Sequence, residues 1–300
     1  MTLWIGSLQL GLLYGIMAIG IYISFRILNT PDLTTEGSFT FGLAVSAIVT
    51  VSGHPFLGII LAVLAGALAG AVTAFLQTKL FIHPVLAGIL TMSGLYSINL
   101  WVMGGSSNLS LIGKDTIFKS LQNVFGIDAN LAKTVLAVLA AGICVVLLII
   151  FFKTQLGLCI RAVGDNAAMV SASSINVDRT KLIGFCVSNA LIGLSGAIIA
   201  QYQGYADINS GMGILVVGLA SVIIGEVFLG RRGVSMGIIA AILGSVVYRF
   251  IIAWATKSSF FPAYMLKLVS AVIVAIALAI PAFKYYKEIR KIKKGGEADA

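Results

Sequence analysis

Residues 131–152 read LAKTVLAVLAAGICVVLLIIFF, an apolar run with a single charge, Lys133, near its start. A bilayer core about 30 Å thick is crossed by roughly 20 apolar residues rising about 1.5 Å each. This stretch is long enough to span it. Similar runs occupy about 3–25, 57–76, 84–103, 182–203, 212–229, 233–254 and 263–283, with a shorter Gly- and Ser-bearing run at 39–53. The reading is all-α: a polytopic membrane bundle of about 8–10 transmembrane helices, in which 39–53 either crosses or re-enters. It divides into a transmembrane domain, 1–285, and a basic tail, 286–300. The first run lacks a cationic leader and a small-residue cleavage site, so it is expected to stay as a helix.

Composition agrees. Of 300 residues, 59% are apolar and 10% charged, and mean hydropathy is +1.04. A soluble globule with 20 basic and 11 acidic residues would expose a sticky surface, which excludes a soluble enzyme. Cys144, Cys159 and Cys186 lack metal-ligand spacing and form no disulfide framework. The pI near 9.5 raises the question of nucleic acid, but the basic residues lie at the ends of apolar runs. There they set orientation, so no nucleic-acid partner is expected.

Threading the spans alternately puts Lys79, Lys153, Arg161, Arg179, Lys181, Arg231, Arg232 and the tail residues Lys284, Lys287, Arg290, Lys291, Lys293 and Lys294 on one face. By the positive-inside rule that face is cytoplasmic, with the C-terminus inside. The opposite face receives 104–130 with Lys114 and Lys119, together with Lys133 and Lys257. Arg26 argues for a cytoplasmic 26–38 and an outside N-terminus; a single charge leaves that side open.

Segment 32–46, DLTTEGSFTFGLAVS, echoes segment 207–221, DINSGMGILVVGLAS. Each follows an apolar helix and interrupts it with polar and Gly residues before the next. With Arg26 inside, the copies lie on opposite sides of the membrane, as in transporters built from inverted repeats with broken helices. Backbone groups freed at membrane depth need protein or water around them, so neither break should face lipid. Asp32, Thr34, Thr35, Glu36 and Ser38 in one break, and Gln201, Gln203, Asp207, Asn209 and Ser210 at the other, are the candidates for pathway and gate; the alternative for the second group is a solvated loop. Cysteines at Thr34, Thr35, Asn209 and Ser210 are expected to react with water-soluble thiol reagents.

Other polar residues have plainer readings. Asn99 and Asn189 suit interhelical hydrogen bonds, and Gly66 to Gly70 is a Gly-x-x-x-Gly packing step. Glu226 lies near Arg231 and Arg232, which suggests an interfacial ion pair. Arg249 is an ionisable residue inside a span, where a charge at the centre costs about 2.5–3.5 kcal/mol. His54 and His83 each precede a Pro at a helix boundary, and no third ligand or paired carboxylate makes either a metal or catalytic site.

Between two spans lies KTQLGLCIRAVGDNAAMVSASSINVDRTKLIGF, residues 153–185. Its residues 160–172 predict a short interfacial helix, with Asp165 and Asn166 able to cap it, a shape that a partner can grip. The pattern Thr154-x-x-Gly157-x-x-x-Arg161-Ala162-x-Gly164-Asp165-Asn166-x-Ala168, followed by Ile175-Asn176-Val177, resembles the permease subunits of bacterial ATP-binding-cassette importers in the branched-chain amino acid group. Gly11, Tyr14, Gly15, Ala18 and Gly20 fit the same family's first helix, and Pro31 to Phe39 is similar to its branch found beside binding proteins for aromatic amino acids. Ser174 departs from the glycine of better-known members.

The resemblance implies that Gly157, Arg161, Ala162, Gly164, Asp165, Asn166 and Ala168 form the coupling loop that docks on an ATPase subunit. It implies two permease copies, here a homodimer, two ATPases and an extracytoplasmic substrate-binding protein in a bacterial cell membrane. The substrate class it points to is an amino acid, while related permeases carry sugars or nucleosides. The chain has no G-x-x-x-x-G-K-[ST] signature, so ATP and Mg belong to the partner ATPase and no cofactor is expected on this chain. The competing reading, a self-sufficient secondary transporter or channel, needs a carboxylate at mid-span; Asp32 and Glu36 read as loop residues and Glu226 as near an end.

Overall fold

The computed structural model describes residues 2–126, 128–230 and 233–257, together with 268, 271, 272, 274, 275 and 279. Arg231, Arg232, the basic tail and most of the run 263–283 lie outside the described residues.

Ten α-helices are present among the described residues: α1 (Thr2–Tyr22), α2 (Thr35–Val51), α3 (Pro55–Thr78), α4 (Pro84–Val102), α5 (Ile117–Phe125), α6 (Ala129–Phe151), α7 (Gln155–Ala172), α8 (Val177–Gln203), α9 (Ile214–Leu229) and α10 (Val234–Lys257). A π-helical turn, Ile23–Ile27, extends α1, and a 3₁₀ turn, Ile208–Gly211, precedes α9. Two short strands, β1 (Asn108–Ser110) and β2 (Tyr205–Asp207), pair antiparallel. Among the described residues, seven helical units are long and apolar enough to cross a membrane, and α2 is a shorter apolar helix. The chain is therefore a multi-pass membrane bundle. Pro55 and Pro84 open α3 and α4 directly after His54 and His83, so both histidines sit at helix starts as their sequence position suggests.

Helix α8 is the axis against which the others can be placed. The Ser188 hydroxyl donates to the Gly20 carbonyl (2.7 Å), the Ser195 hydroxyl to that of Leu13 (2.8 Å), and the Tyr202 hydroxyl to Gln9 Oε1 (2.8 Å). These three bonds run α1 antiparallel to α8. Helix α3 lies on another side of α8, where a Cβ on Gly66 or Gly70 would strike the carbonyl of Asn189 or Phe185. The Gly-x-x-x-Gly step thus brings two backbones together. Lys79 closes the same end of the pair on Asp178 (2.9 Å).

After Ile27 the chain turns back into the bundle, and Asp32 reaches Asn189, twelve residues into α8 or about 18 Å from its start. From that depth α2 rises to the end of the bundle that carries α5 and the β1–β2 pair; its 17 residues cover about 26 Å. The uncertain run 39–53 is thus part of a helix that begins inside the bundle. At the opposite end of the molecule lies α7.

Candidate functional site

The two polar breaks use the same local device. Asp32 Oδ1 accepts from the backbone N–H of Thr34 (2.9 Å), and Asp207 Oδ1 accepts from that of Asn209 (2.7 Å). In each, a short acceptor side chain holds the backbone two residues on, where the preceding helix has ended and the next has yet to begin. The first break begins at mid-bundle beside Asn189, the second follows the C-terminal end of α8, and the two meet where the Gly213 N–H donates to Glu36.

Their surroundings differ. Asp32 is 3% exposed, and Thr34, Thr35 and Ser38 are fully buried. Asn189 donates to Asp32 Oδ2 (2.7 Å), and the Thr34 hydroxyl meets Thr73 (2.7 Å), which donates to Thr91 (3.0 Å). Thr35 and Ser38 belong to the first turn of α2, so the helical part of this break is longer than its composition suggests. The carboxylate expected in a loop is at membrane depth, and its two oxygens are already held by Thr34 and Asn189. Protein surrounds this break, and the expected thiol reactivity at positions 34 and 35 does not fit side chains with no exposed surface.

Around the second break the residues part ways. Gln201 is buried and structural: its amide donates to Ser46 Oγ (3.1 Å) and the Pro55 carbonyl (3.0 Å), and its Oε1 accepts from Ile117 N–H (2.9 Å). Gln203 and Ser210 are half-buried, while Asn209 is exposed. A cavity of about 510 Å³ opens here, lined by Glu36 and Thr40 of α2, Met92, Ser93, Tyr96 and Asn99 of α4, and Asn209 and Met212 of the break. Glu36 Oε1 accepts from the Gly213 N–H (2.9 Å). A residue of the first segment thereby fastens the start of α9. Of the candidates, Glu36 and Asn209 line this cavity, while Asp32, Thr34, Thr35, Ser38 and Gln201 are buried and do not line it.

The lining from α4 was missed. Ser93, Tyr96 and Asn99 fall at steps of three on one helix, a polar stripe inside an apolar run, but none carries a charge that would have drawn notice. Asn99 does make the interhelical bond expected of it, donating to the Gly37 carbonyl (3.3 Å). The Arg26–Glu226 ion pair (2.6 Å) was also missed, because its partners are 200 residues apart and Glu226 reads more simply with its near neighbours.

The segment between α6 and α8 is a longer helix than predicted. Thr154, not Asp165, caps its start by accepting from Gly157 N–H (3.4 Å), and the helix runs from Gln155 to Ala172 instead of 160–172. Asn166 leaves helical geometry (φ −157°, ψ 94°) and caps the second half by accepting from Met169 N–H (3.0 Å). Gly157, Ile160, Val163 and Val170 are buried. At Gly164 a Cβ would strike the Ile27 carbonyl, which fixes this face against the end of the first span. Arg161, Asp165, Asn166, Ala168 and Met169 are exposed, and Ala162 is half-buried. The residues expected to couple to an ATPase therefore divide into an anchored face, Gly157 and Gly164, with Arg161 beside them at a pocket it shares with Tyr22, Arg26 and Glu226, and an outward one, Asp165, Asn166 and Ala168.

Comparison with known proteins matches this architecture. Residues 4–278 match the family described as the permease component of the branched-chain amino acid transport system. A tyrosine transport system permease protein of Clostridioides difficile is 39% identical over 89% of this chain and 88% of its own. A galactose/methyl galactoside import permease protein of Haemophilus influenzae is 24% identical over 77% of this chain and 68% of its own. Among solved structures, PsaBC from Streptococcus pneumoniae, in complex with Fab, has a TM-score of 0.55 at 15% identity, covering 92% of this chain and 89% of that one, a likeness of fold. With its broken spans, its outlying α7 and a match that covers nearly its whole length, the chain belongs to the branched-chain amino acid permease family and is the permease component of an importer.

Proposed function

We propose that this permease carries an amino acid, with an aromatic one as the leading candidate, through a bacterial cell membrane, driven by a separate ATPase docked on α7 and fed by an extracytoplasmic binding protein. The observation that carries this is α7: a kinked helix outside the bundle, anchored through Gly164 to the end of the first span and presenting Asp165, Asn166 and Met169 outward, while Arg161 borders a pocket it shares with Tyr22, Arg26 and Glu226. A partner that pushes on the outward face moves the Ile27 end of α1, and with it the Arg26–Glu226 pair that ties α1 to α9. That is a mechanical route from a docked motor to the helix whose other end borders the cavity.

On this reading the α7 end is cytoplasmic, in keeping with Lys79, Lys153, Arg161, Arg179 and Lys181 near it, and the cavity beside Asn209 opens to the outside. Two copies pair with the pathway at or beside their interface, and lipid covers the rest. ATP and Mg act on the ATPase alone. The amino acid substrate rests on the 39% relative, whereas a sugar is the reading favoured by the more distant one.

The test is reconstitution of permease, ATPase and binding protein in liposomes, followed by uptake of labelled tyrosine, leucine and galactose. ATP-driven accumulation of an amino acid is expected. Asp165→Lys should leave insertion intact and abolish ATPase capture and uptake. Accumulation of galactose alone would replace the substrate assignment, and full uptake with Asp165→Lys would remove the docking assignment.

A further inference from the structure

Arg249 is unaccounted for by the fold. It lies in α10, eight residues before Lys257 and so about 12 Å inside the span's end. No carboxylate lies within ion-pair distance of it among the described residues. Its guanidinium stands 3.8 Å over the Tyr14 ring, and its Nε is buried with no hydrogen-bond partner. It also borders a cavity of about 560 Å³ whose walls include Tyr14, Met212, Ile214, Val217 and Tyr248. Met212 lines this cavity and the one beside Glu36, so the two spaces flank the same break.

A charge in a membrane span marks function when packing does not explain it. The geometry here is particular. Stacking on Tyr14 uses the flat face of the guanidinium, where the attraction is to the ring's π cloud. The N–H donors point outward in the guanidinium plane and remain for a planar oxyanion, which that fork matches in two parallel bonds. The largely apolar walls lower the local dielectric and so strengthen such a pairing. A volume of about 560 Å³ falls within the range of small-molecule sites.

We infer that Arg249 receives the α-carboxylate of the transported amino acid, in the cavity between Tyr14, the start of α9 and Tyr248. The assignment rests on the amino acid reading above and adds the residue that selects for a carboxylate. Tyr14 positions the guanidinium, and the break at Met212 and Gly213 forms the wall between this cavity and the one at Glu36.

The importer of permease, ATPase and binding protein, in liposomes, is given a mixture of labelled L-amino acids, with Arg249→Met, Arg249→Gln and Arg249→Lys beside wild type. Expected are uptake at least tenfold lower in the Met and Gln variants, partial recovery in Lys, and ATP hydrolysis still stimulated by loaded binding protein in all. A side chain that only fills space is replaced well by Met, so recovery by Lys alone identifies the charge. Uptake by Arg249→Met within twofold of wild type overturns the assignment. So does loss of the permease dimer by light scattering, which gives Arg249 to a second copy, or loss of co-purified phospholipid with normal uptake, which gives it to a headgroup. Wild type that hydrolyses ATP but accumulates no amino acid removes the substrate reading, and this assignment with it, a result distinct from failure of the variants alone.

Discussion

The turn at Asp32 and the turn at Asp207 make the same hydrogen bond to the residue two positions on, yet one is sealed inside the bundle and the other borders a cavity. The shared Asp reports a local need of the backbone. What each turn does is set by its neighbours: Asn189 and a file of three threonines close around the first, while the second meets Glu36 and the polar stripe of α4. The sealed turn is packed on every side, and the turn at the cavity has space beside it.

Asp32→Ala should give the largest loss of stability. It strands the Thr34 N–H and the Asn189 amide in a buried site, at about 3 kcal/mol for the pair. A marked drop in the detergent melting temperature is expected; a change under 1 °C would show that the first turn is not a fixed part of the frame. Thr73→Val, which removes the central hydroxyl of the threonine file, should cost about 1 kcal/mol in the same assay. Asp207→Ala should cost about 1 kcal/mol or less, because water reaches the freed Asn209 N–H. Equal losses for Asp32→Ala and Asp207→Ala would erase the contrast between the turns. Glu36→Gln should leave melting nearly unchanged and alter uptake, since the Gly213 N–H it holds opens α9 at the cavity's edge; unaltered transport would make that bond a mere fastening.

How far the sequence carried this account follows from which signals have a range. The spans were legible because a run such as 131–152 has few other stable solutions in any solvent. The opening echo at Asp32 and Asp207 was legible because Asp acts on its own neighbouring backbone. Burial of Thr34 and Thr35 was not, since the same Thr-Thr pair suits a wet turn or a packed one, and only the approach of α3 and α4 decides. Helix α7 shows both outcomes: Asn166 was read as a cap and is one, but Thr154 begins the helix earlier, because its cap precedes the weakly amphipathic residues from which the start was judged. Pairing of Arg26 with Glu226 needs the fold, because nothing local links them.

The most direct test of the contrast is thiol labelling of Thr34→Cys and Asn209→Cys in the assembled importer, with a small water-soluble reagent, in nucleotide-free and ATP-bound states. The account predicts that position 34 stays unlabelled in both states, while position 209 reacts readily and its rate changes when ATP is bound. Labelling at 34 that rises with ATP, beside a rate at 209 that does not change, would contradict it and make the buried turn the gate.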